Sequence, residues 1–134
     1  MSQRSLLLDT NVLLCALFAP ERLNEQTQSN LVDLGNTIYY SAVSLWEIAI
    51  KKSLNKVDFD FTPEDVRRLA LATHFKELPL LAQHTFAVAK MPWYHRDPFD
   101  RQLIAQAMSL PAYFLTSDSA LGQYSELVVF TPVT

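Results

Sequence analysis

Short apolar segments that alternate with helical ones constrain the fold of this chain more than any other feature of its sequence. The segment Leu6-Leu7-Leu8 stops at Asp9, and an apolar helical stretch from Val12 to Phe18 follows before Pro20 interrupts it. Buried strands of parallel sheets have such short, uniformly apolar sequences. Parallel strands need a crossover connection, which a helix usually supplies. We therefore predict an α/β protein with a central parallel sheet covered by helices on both faces, in one domain over residues 1–134.

The same alternation places the remaining elements. Aromatic and β-branched residues mark the strand Thr37 to Ser41, and Ser, Thr or Asp before a helical stretch marks an N-cap. Ser44, with Glu47 in a capping box, Thr62 and Asp97 are the predicted starts of three helices. The predicted strands are Leu6 to Leu8, Thr37 to Ser41, Lys76 to Leu78, Tyr113 to Thr116 and Val128 to Phe130; the other predicted helices are Asn24 to Leu34 and Leu81 to Lys90.

Glycine content and charge exclude several classes of function. Gly35 and Gly122 are the only glycines, too few for the phosphate-binding loops of nucleotide-dependent kinases and dinucleotide oxidoreductases. The 14 acidic residues outnumber the 11 Lys and Arg, giving a net charge of −3. Nonspecific nucleic-acid binders are usually basic, so this balance counts against a nucleic-acid substrate.

A single cysteine bears on the compartment. Cys15 has no partner for an internal disulfide, which favours a reducing environment. The first residues lack the pattern of a signal peptide, and no apolar run approaches the ~20 residues that span a bilayer. We expect a cytoplasmic protein that does not associate with membranes.

Four acidic residues fall where a parallel sheet binds ligands. Asp9 ends the first strand, Asp118 follows the strand Tyr113 to Thr116, and Glu47 and Asp100 lie in the first turns of predicted helices. The carboxyl ends of the strands share one edge, so these side chains are predicted to face one crevice. Each of them could instead be only a helix cap or a partner of a helix dipole.

Clustered carboxylates are stable as anions mainly around a hard cation, because they otherwise raise one another's pKa. Mg²⁺ or Mn²⁺ fits such a cluster. A cation bound in this way keeps water ligands, so it can bind a phosphodiester oxygen and activate a water molecule. The sequence thus predicts a divalent-metal-dependent nuclease in which Asp9, Glu47, Asp100 and Asp118 are the catalytic and metal-binding residues.

Four segments, in this order, also resemble a known family. A lone Asp-Thr-Asn after a strand is a weak signal, whereas four ordered motifs are specific. The segments are Leu6-Leu7-Leu8-Asp9-Thr10-Asn11-Val12, Ser41 to Glu47, His95-Arg96-Asp97-Pro98-Phe99-Asp100-Arg101 with Leu103 to Ala107, and Leu115-Thr116-Ser117-Asp118. Together they resemble a PIN domain of the VapC toxin type over nearly the whole chain.

This resemblance implies an α/β/α sandwich and a Mg²⁺- or Mn²⁺-dependent endoribonuclease that leaves a 5′-phosphate and a 3′-hydroxyl. It also implies frequent homodimerisation and neutralisation by a cognate antitoxin. Carried over by position, Asp9, Glu47 and Asp100 match the three principal acids of the family, and Asp118 matches a fourth that supports metal binding. Asn11 and Ser117 match polar positions that hold the acids by hydrogen bonds, and Asp97 is an added carboxylate predicted to cap its helix.

Basic and aromatic residues beside the acids are candidates for RNA contacts. Lys51, Arg96 and Arg101 could receive phosphates, although solvated surface charges are the alternative. Trp93 and Tyr94, in a loop, could stack on unpaired bases, whereas Trp46 is expected to pack. Phe18, Phe59 and Phe61 are candidates for a surface that a partner protein covers.

The three histidines lack the spacing of zinc ligands and are expected to be exposed or to cap helices; they are His74, His84 and His95.

Two other functions are compatible with parts of this sequence pattern. A catalytically idle PIN-like binding module would have the same fold, but the intact acid set favours the nuclease. A phosphoryl-transfer enzyme with an aspartyl nucleophile would use Asp9, yet the second Asp expected two residues later is Asn11. The nuclease remains the main hypothesis and the binding module its alternative.

Overall fold

A computed structural model describes residues 3–55 and 60–134 of the chain. Strands and helices alternate along the described residues. The strands are β1 (Ser5–Leu8), β2 (Thr37–Ser41), β3 (Lys76–Leu78), β4 (Tyr113–Thr116) and β5 (Val128–Phe130). The helices are α1 (Thr10–Phe18), α2 (Glu25–Val32), α3 (Ala42–Ser53), α4 (Pro63–Ala72), α5 (Ala82–Val88) and α6 (Pro98–Ser109), with 3-10 turns at Pro20–Arg22 and Ser119–Tyr124.

Within the described residues the strands form one five-stranded, all-parallel sheet in the order β3-β2-β1-β4-β5. β1 lies at the centre, with Leu7 aligned with Tyr39 of β2 on one side and with Phe114 of β4 on the other. The chain builds outward from β1 to β3 and then returns to the opposite side for β4 and β5. The strand order therefore reverses between β1 and β4, which is where parallel α/β sheets open a ligand crevice.

Alternation along the strands divides the core between the two faces of the sheet. Leu6 and Leu8 point to one face, where α1, α3 and α4 contribute Val12, Ile48 and Val66. Leu7 points to the opposite face and packs in a second cluster with apolar residues of α6, among them Leu103 and Ile104. Helices cover both faces, as the predicted α/β/α sandwich with a central parallel sheet requires.

The predicted strands agree with the structure in all five places. Asp97 and Thr62 are N-caps as expected, with their side chains accepting hydrogen bonds from Phe99 and Asp65 backbone amides. The prediction for α3 was wrong, because its N-cap is Ser41 and not Ser44. The Ser41 hydroxyl, at the last residue of β2, accepts from the Val43 amide, so the helix begins without a loop.

Because α3 begins earlier than predicted, Ser44 and Glu47 lie at different positions in the helix from those expected. Glu47 lies in the second turn of α3, not the first, and makes no capping box. Ser44 is inside the helix and buried, where its hydroxyl lies 2.9 Å from that of Thr10. Two other helices are shorter than predicted, since α2 ends at Val32 and α5 at Val88. No helix in the described ranges is long and apolar enough to span a membrane.

Candidate active site

A cleft of about 220 Å³ lies at the carboxyl ends of β1, β2 and β4, beside the point where the strand order reverses. Its acidic residues come from four separate segments of the chain, with Asp97 and Asp100 both at the start of α6. Asp9 joins β1 to α1, Glu47 lies in α3 after β2, and Asp118 follows β4. The lining residues are Asp9, Thr10, Asn11, Leu14, Glu47, Lys51, Asp97, Asp100, Ser117 and Asp118. We call Asp9, Glu47, Asp100 and Asp118 the carboxylate cluster.

Asp9 is the most firmly held acid of the cluster. It is 5% exposed, and its Oδ1 accepts a 2.7 Å hydrogen bond from the Val12 amide, which caps α1. Its Oδ2 accepts from the Thr116 hydroxyl at 2.6 Å and from the Ser117 amide at 3.2 Å. Burial raises the pKa of Asp9 above its ordinary value, although these hydrogen bonds act in the opposite direction. A carboxylate can accept about four hydrogen bonds, and the described residues donate three to Asp9, which lines the cleft.

Glu47 is fixed by neighbours on two helices. Its Oε1 lies 2.7 Å from the Thr10 hydroxyl, and its Oε2 lies 2.7 Å from Nζ of Lys51 one turn further along α3. A carboxylate only accepts, so Thr10 donates to Glu47 and accepts from the buried hydroxyl of Ser44. The position of Glu47 thus depends on α1 as well as on α3.

Asp100 differs from the other acids because no hydrogen bond reaches its carboxylate from the residues that the structure describes. Nε2 of His95 lies 3.9 Å from its Oδ2. Burial, followed by the charges of the neighbouring carboxylates Asp97, Asp9 and Glu47, raises the pKa of Asp100 to about 7. The side chain is only 20% exposed. Asp100 is therefore the acid whose charge is least compensated.

Asp118 is held between its own turn and the loop before α6. Its Oδ1 accepts from the Ala120 amide and caps the turn Ser119–Tyr124, while its Oδ2 lies 3.0 Å from Nε2 of His95. Its backbone amide donates to the Thr116 hydroxyl. Thr116 consequently connects Asp118 to Asp9, since the same hydroxyl donates to the Asp9 carboxylate.

The structure also locates the polar residues expected to hold the acids. Asn11 donates from its side-chain amide to the Ser117 hydroxyl at 2.9 Å, which joins the segments after β1 and β4 across the reversal point. Ser117 reaches Asp9 through its backbone amide and not its hydroxyl. Asp97 caps α6 by accepting from the Phe99 and Asp100 amides.

The structure corrects the expectation for Arg101 as a contact for RNA phosphates. This side chain is 3% exposed, and its guanidinium donates to the Pro92 carbonyl at 2.8 Å and to the Val88 carbonyl at 3.2 Å. The Trp93 ring lies against the guanidinium, with its centre 4.0 Å from Cζ. An arginine on this face of α6 points into the protein, because the loop 88–95 covers it. Arg101 organises that loop.

The other basic and aromatic candidates remain accessible. Arg96 is exposed, next to the N-cap of α6, and Lys51 lines the cleft. Trp46 was expected to pack; it contacts Phe99 edge-on but is half exposed. Phe18 and Phe61 stack with ring centres 4.4 Å apart, whereas Phe59 lies outside the described residues.

Sequence reasoning missed three residues that shape the site: Thr10, Thr116 and His95. Thr116 is a buried hydroxyl at the end of an otherwise apolar strand, and Thr10 lies between two predicted site residues, so both carried a local signal. His95 was treated as one of three unremarkable histidines. Its partner Asp118 is 23 residues away, a pairing that no sequence spacing indicates.

The donor set fits a hard divalent cation. The carboxylate cluster consists of oxygen donors only, the ligands that Mg²⁺ and Mn²⁺ prefer. Asp100, partly buried and without a hydrogen-bond donor among the described residues, is a group whose charge such a cation would offset. His95, Asp100 and Asp118 also bring potential ligand atoms within 4.8 Å of one another.

Fold and cleft together define a class of protein: a parallel α/β domain with an acidic, metal-compatible crevice at the reversal point of its sheet. The model of the PIN domain family matches residues 6–127, and the chain belongs to that family. The crystal structure of VapBC2 from Rickettsia felis bound to a DNA fragment from their promoter contains a similar chain, with 18% identity and a TM-score of 0.67. The match covers 92% of this chain and 96% of that one, and at this identity it bears on the fold alone. No curated protein matches the chain.

Proposed function

We propose that this protein is a Mg²⁺- or Mn²⁺-dependent endoribonuclease, the toxin of a VapC-type toxin–antitoxin pair. One observation carries the proposal: the carboxylates of Asp9, Glu47, Asp100 and Asp118 line one cleft, in which Asp100 has no hydrogen-bond donor among the described residues. Membership of the PIN domain family and the resemblance of the motifs to VapC toxins support the same function.

The metal ion, when bound, would supply Lewis-acid activation of water and stabilisation of charge on the phosphodiester. Side chains of the carboxylate cluster would bind that ion. Asp9, Glu47 and Asp100 would be its principal ligands, with Asp118 as the fourth acid that supports the centre. Thr10 and Thr116 hold Glu47 and Asp9 in fixed orientations through their hydroxyl groups, which preorganises the oxygen donors before substrate binds. Hydrolysis would leave a 5′-phosphate and a 3′-hydroxyl.

RNA would approach over the rim of the cleft. Lys51, paired with Glu47, and the exposed Arg96 are the basic residues placed to receive phosphates beside the acids. Trp46 and Tyr94 are about half exposed and offer ring surface for unpaired bases. Unpaired RNA is therefore the substrate form that this rim favours.

A cognate antitoxin and a second copy of the chain are the partners we propose. The stacked Phe18 and Phe61 rings leave apolar surface at the solvent, with Phe18 41% exposed. The sequence resemblance implies both partners, and the similar R. felis chain belongs to a structure of VapBC2 bound to a DNA fragment from their promoter. Co-expression with the product of the neighbouring open reading frame, followed by light scattering, tests both states.

Cleavage of RNA tests the activity. Purified protein free of any partner would be incubated with a panel of transfer, ribosomal and messenger RNAs in Mg²⁺ or Mn²⁺, with chelator as one control. We expect metal-dependent cuts that Asp9→Asn abolishes, since Asn keeps the helix cap but removes the ligand charge. Asp65→Asn is the matched control, because Asp65 lies in the first turn of a helix but is exposed and does not line the cleft. A folded, metal-loaded protein that cuts nothing would instead favour the catalytically idle binding module.

A further inference from the structure

His95 lies beside the cleft, and the family resemblance assigns it no role in the site. It lies in the loop before α6, is 24% exposed at its side chain, and has contacts with both the fourth acid of the cluster and the start of α6. Its Nε2 lies 3.0 Å from Oδ2 of Asp118 and 3.9 Å from Oδ2 of Asp100. Two roles fit such a position: a metal ligand, or a donor that orients Asp118.

The hydrogen bonds of the ring distinguish these roles. Nδ1 of His95 accepts a 3.0 Å hydrogen bond from the Asp97 backbone amide, so Nδ1 carries no proton. The neutral ring must then carry its proton on Nε2, and that nitrogen donates to the Asp118 carboxylate, which can only accept. An Nε2 that carries a proton has no lone pair for a metal ion. The geometry therefore favours the donor role.

The backbone of His95 is anchored as well as its ring. Its backbone amide donates a hydrogen bond to the Tyr124 hydroxyl at 2.9 Å. Its carbonyl oxygen lies 3.4 Å from the buried guanidinium of Arg101. Arg101 and Tyr124 lie in α6 and in the turn after β4, so the ring is fixed relative to both Asp100 and Asp118. Asp118, by contrast, is 43% exposed and belongs to a short turn.

We propose that His95 is a positioning residue: its Nε2–H holds the Asp118 carboxylate in the cluster and does not itself bind the metal. This inference rests on the proposed metal centre. Removing the donor would let Asp118 turn towards solvent, because the Ala120 amide would then be the one donor to its side chain among the described residues. Loss of a hydrogen bond to a metal ligand typically weakens metal binding about 10- to 100-fold.

Mn²⁺ titration of the full chain, followed by electron paramagnetic resonance, measures the effect without RNA. His95→Gln carries an amide N–H close to the position of Nε2, whereas the shorter His95→Asn cannot reach Asp118. We expect His95→Gln to retain an affinity within about threefold of the wild type and His95→Asn to lose about tenfold or more. His74→Asn is the matched control, since His74 is exposed, lies at the amino end of β3 and has a positive φ of 69° that Asn tolerates.

A double-mutant cycle decides whether His95 acts through Asp118. If it does, His95→Asn costs little further affinity in an Asp118→Asn background. Equal losses in both backgrounds, unchanged affinity in His95→Asn, or a spin-echo coupling to nitrogen that is present in wild type and lost in His95→Gln would overturn the proposal. Circular dichroism confirms that each variant is folded. A wild type that binds no Mn²⁺, or binds it equally after Asp9→Asn, would instead contradict the metal centre itself.

Discussion

At the scale of single residues, Asp100 sets the electrostatic character of the cleft. Its pKa is raised from 3.8 to about 7, first by burial and then by the carboxylates of Asp97, Asp9 and Glu47. Asp100 therefore binds more protons in the metal-free native protein than in the unfolded chain between these pH values. Its contribution to the free energy of unfolding falls as pH rises across that interval, because charging Asp100 costs more in the folded protein.

The direction of this pH dependence gives a prediction for the stability of Asp100→Asn. In chelator at pH 7.5, the variant should be more stable than the wild type by on the order of 2 kcal/mol, since it has no charge to bury. The advantage should vanish near pH 4, where Asp100 is protonated in the folded wild type. In excess Mg²⁺ the order should reverse, because only the wild type gains stability by binding the ion. Urea unfolding at three pH values measures all of this; an Asp100→Asn that is less stable than wild type in chelator would contradict it.

Thr116 is the second residue on which the site depends, since its hydroxyl donates to Asp9 and accepts from the Asp118 amide. Thr116→Val keeps the shape of the side chain but leaves a buried carboxylate without its shortest hydrogen bond. We expect a loss of about 1–3 kcal/mol in the free energy of unfolding and about a tenfold weaker Mn²⁺ affinity. Calorimetric titration and urea unfolding measure the two effects. Thr27→Val, at an equally buried position in α2, should leave the affinity unchanged.

At the scale of elements, the loop 88–95 depends on one side chain of α6. Arg101 donates to carbonyl groups of this loop and stacks on Trp93. Arg101→Met should leave these carbonyl groups without a donor, lowering the free energy of unfolding by about 2–4 kcal/mol and exposing the loop to trypsin at Lys90. Limited proteolysis measures this. Arg96→Met, at an exposed site, should preserve stability and weaken RNA binding only; the opposite pattern would restore Arg101 as a phosphate contact.

Away from the cleft, the strands β2 and β3 are joined by a side-chain hydrogen bond whose contribution to stability depends on pH. The Tyr40 hydroxyl donates to Glu77 at 2.7 Å, and Arg67 lies at the same distance from that carboxylate. The Tyr40 hydrogen bond is the main reason that the pKa of Glu77 is lowered. Its stabilisation is therefore present above pH 4.5, the ordinary value, and is lost as pH falls through the lowered pKa. Glu77→Gln should cost about 1 kcal/mol at pH 7 and progressively less below pH 4.5, as unfolding at a series of pH values would measure; a cost that does not depend on pH would refute this.

An element can be predicted from the sequence when the residues that determine it are neighbours in the chain, and cannot when it depends on contacts between distant segments. Four of the strands were predictable because their apolar, aromatic or β-branched runs end at polar residues, and that pattern is local; β3, with the sequence Lys76-Glu77-Leu78, has no such run. The start of α3 was not predictable, because Ser41 is both the last strand residue and the cap, so the strand signal concealed the helix signal. The burial of Arg101 and the pairing of His95 with Asp118 depend on how the loop 88–95 folds back, and no local pattern encodes that.

At the scale of the whole molecule, the parallel sheet explains why acids from distant segments meet. Asp9 and Asp118 are 109 positions apart in the chain, yet both follow strands that are neighbours in the sheet, with Leu8 aligned with Leu115. The reversal of strand order between β1 and β4 leaves space above this pair, and α3 and α6 bring Glu47 and Asp100 to it. The net charge of −3 includes these carboxylates, so an acidic chain is compatible with a phosphate-binding cleft once metal is present.

The central claim is that this cleft is a metal centre, and anomalous diffraction from crystals soaked in Mn²⁺ tests it most directly. We predict an anomalous peak in the cleft within coordination distance of Asp9 and Asp100 oxygens, absent from crystals of Asp9→Asn grown and soaked in the same way. A wild-type map with no peak in the cleft at saturating Mn²⁺, or with a peak bound without Asp9 and Asp100, would contradict the account.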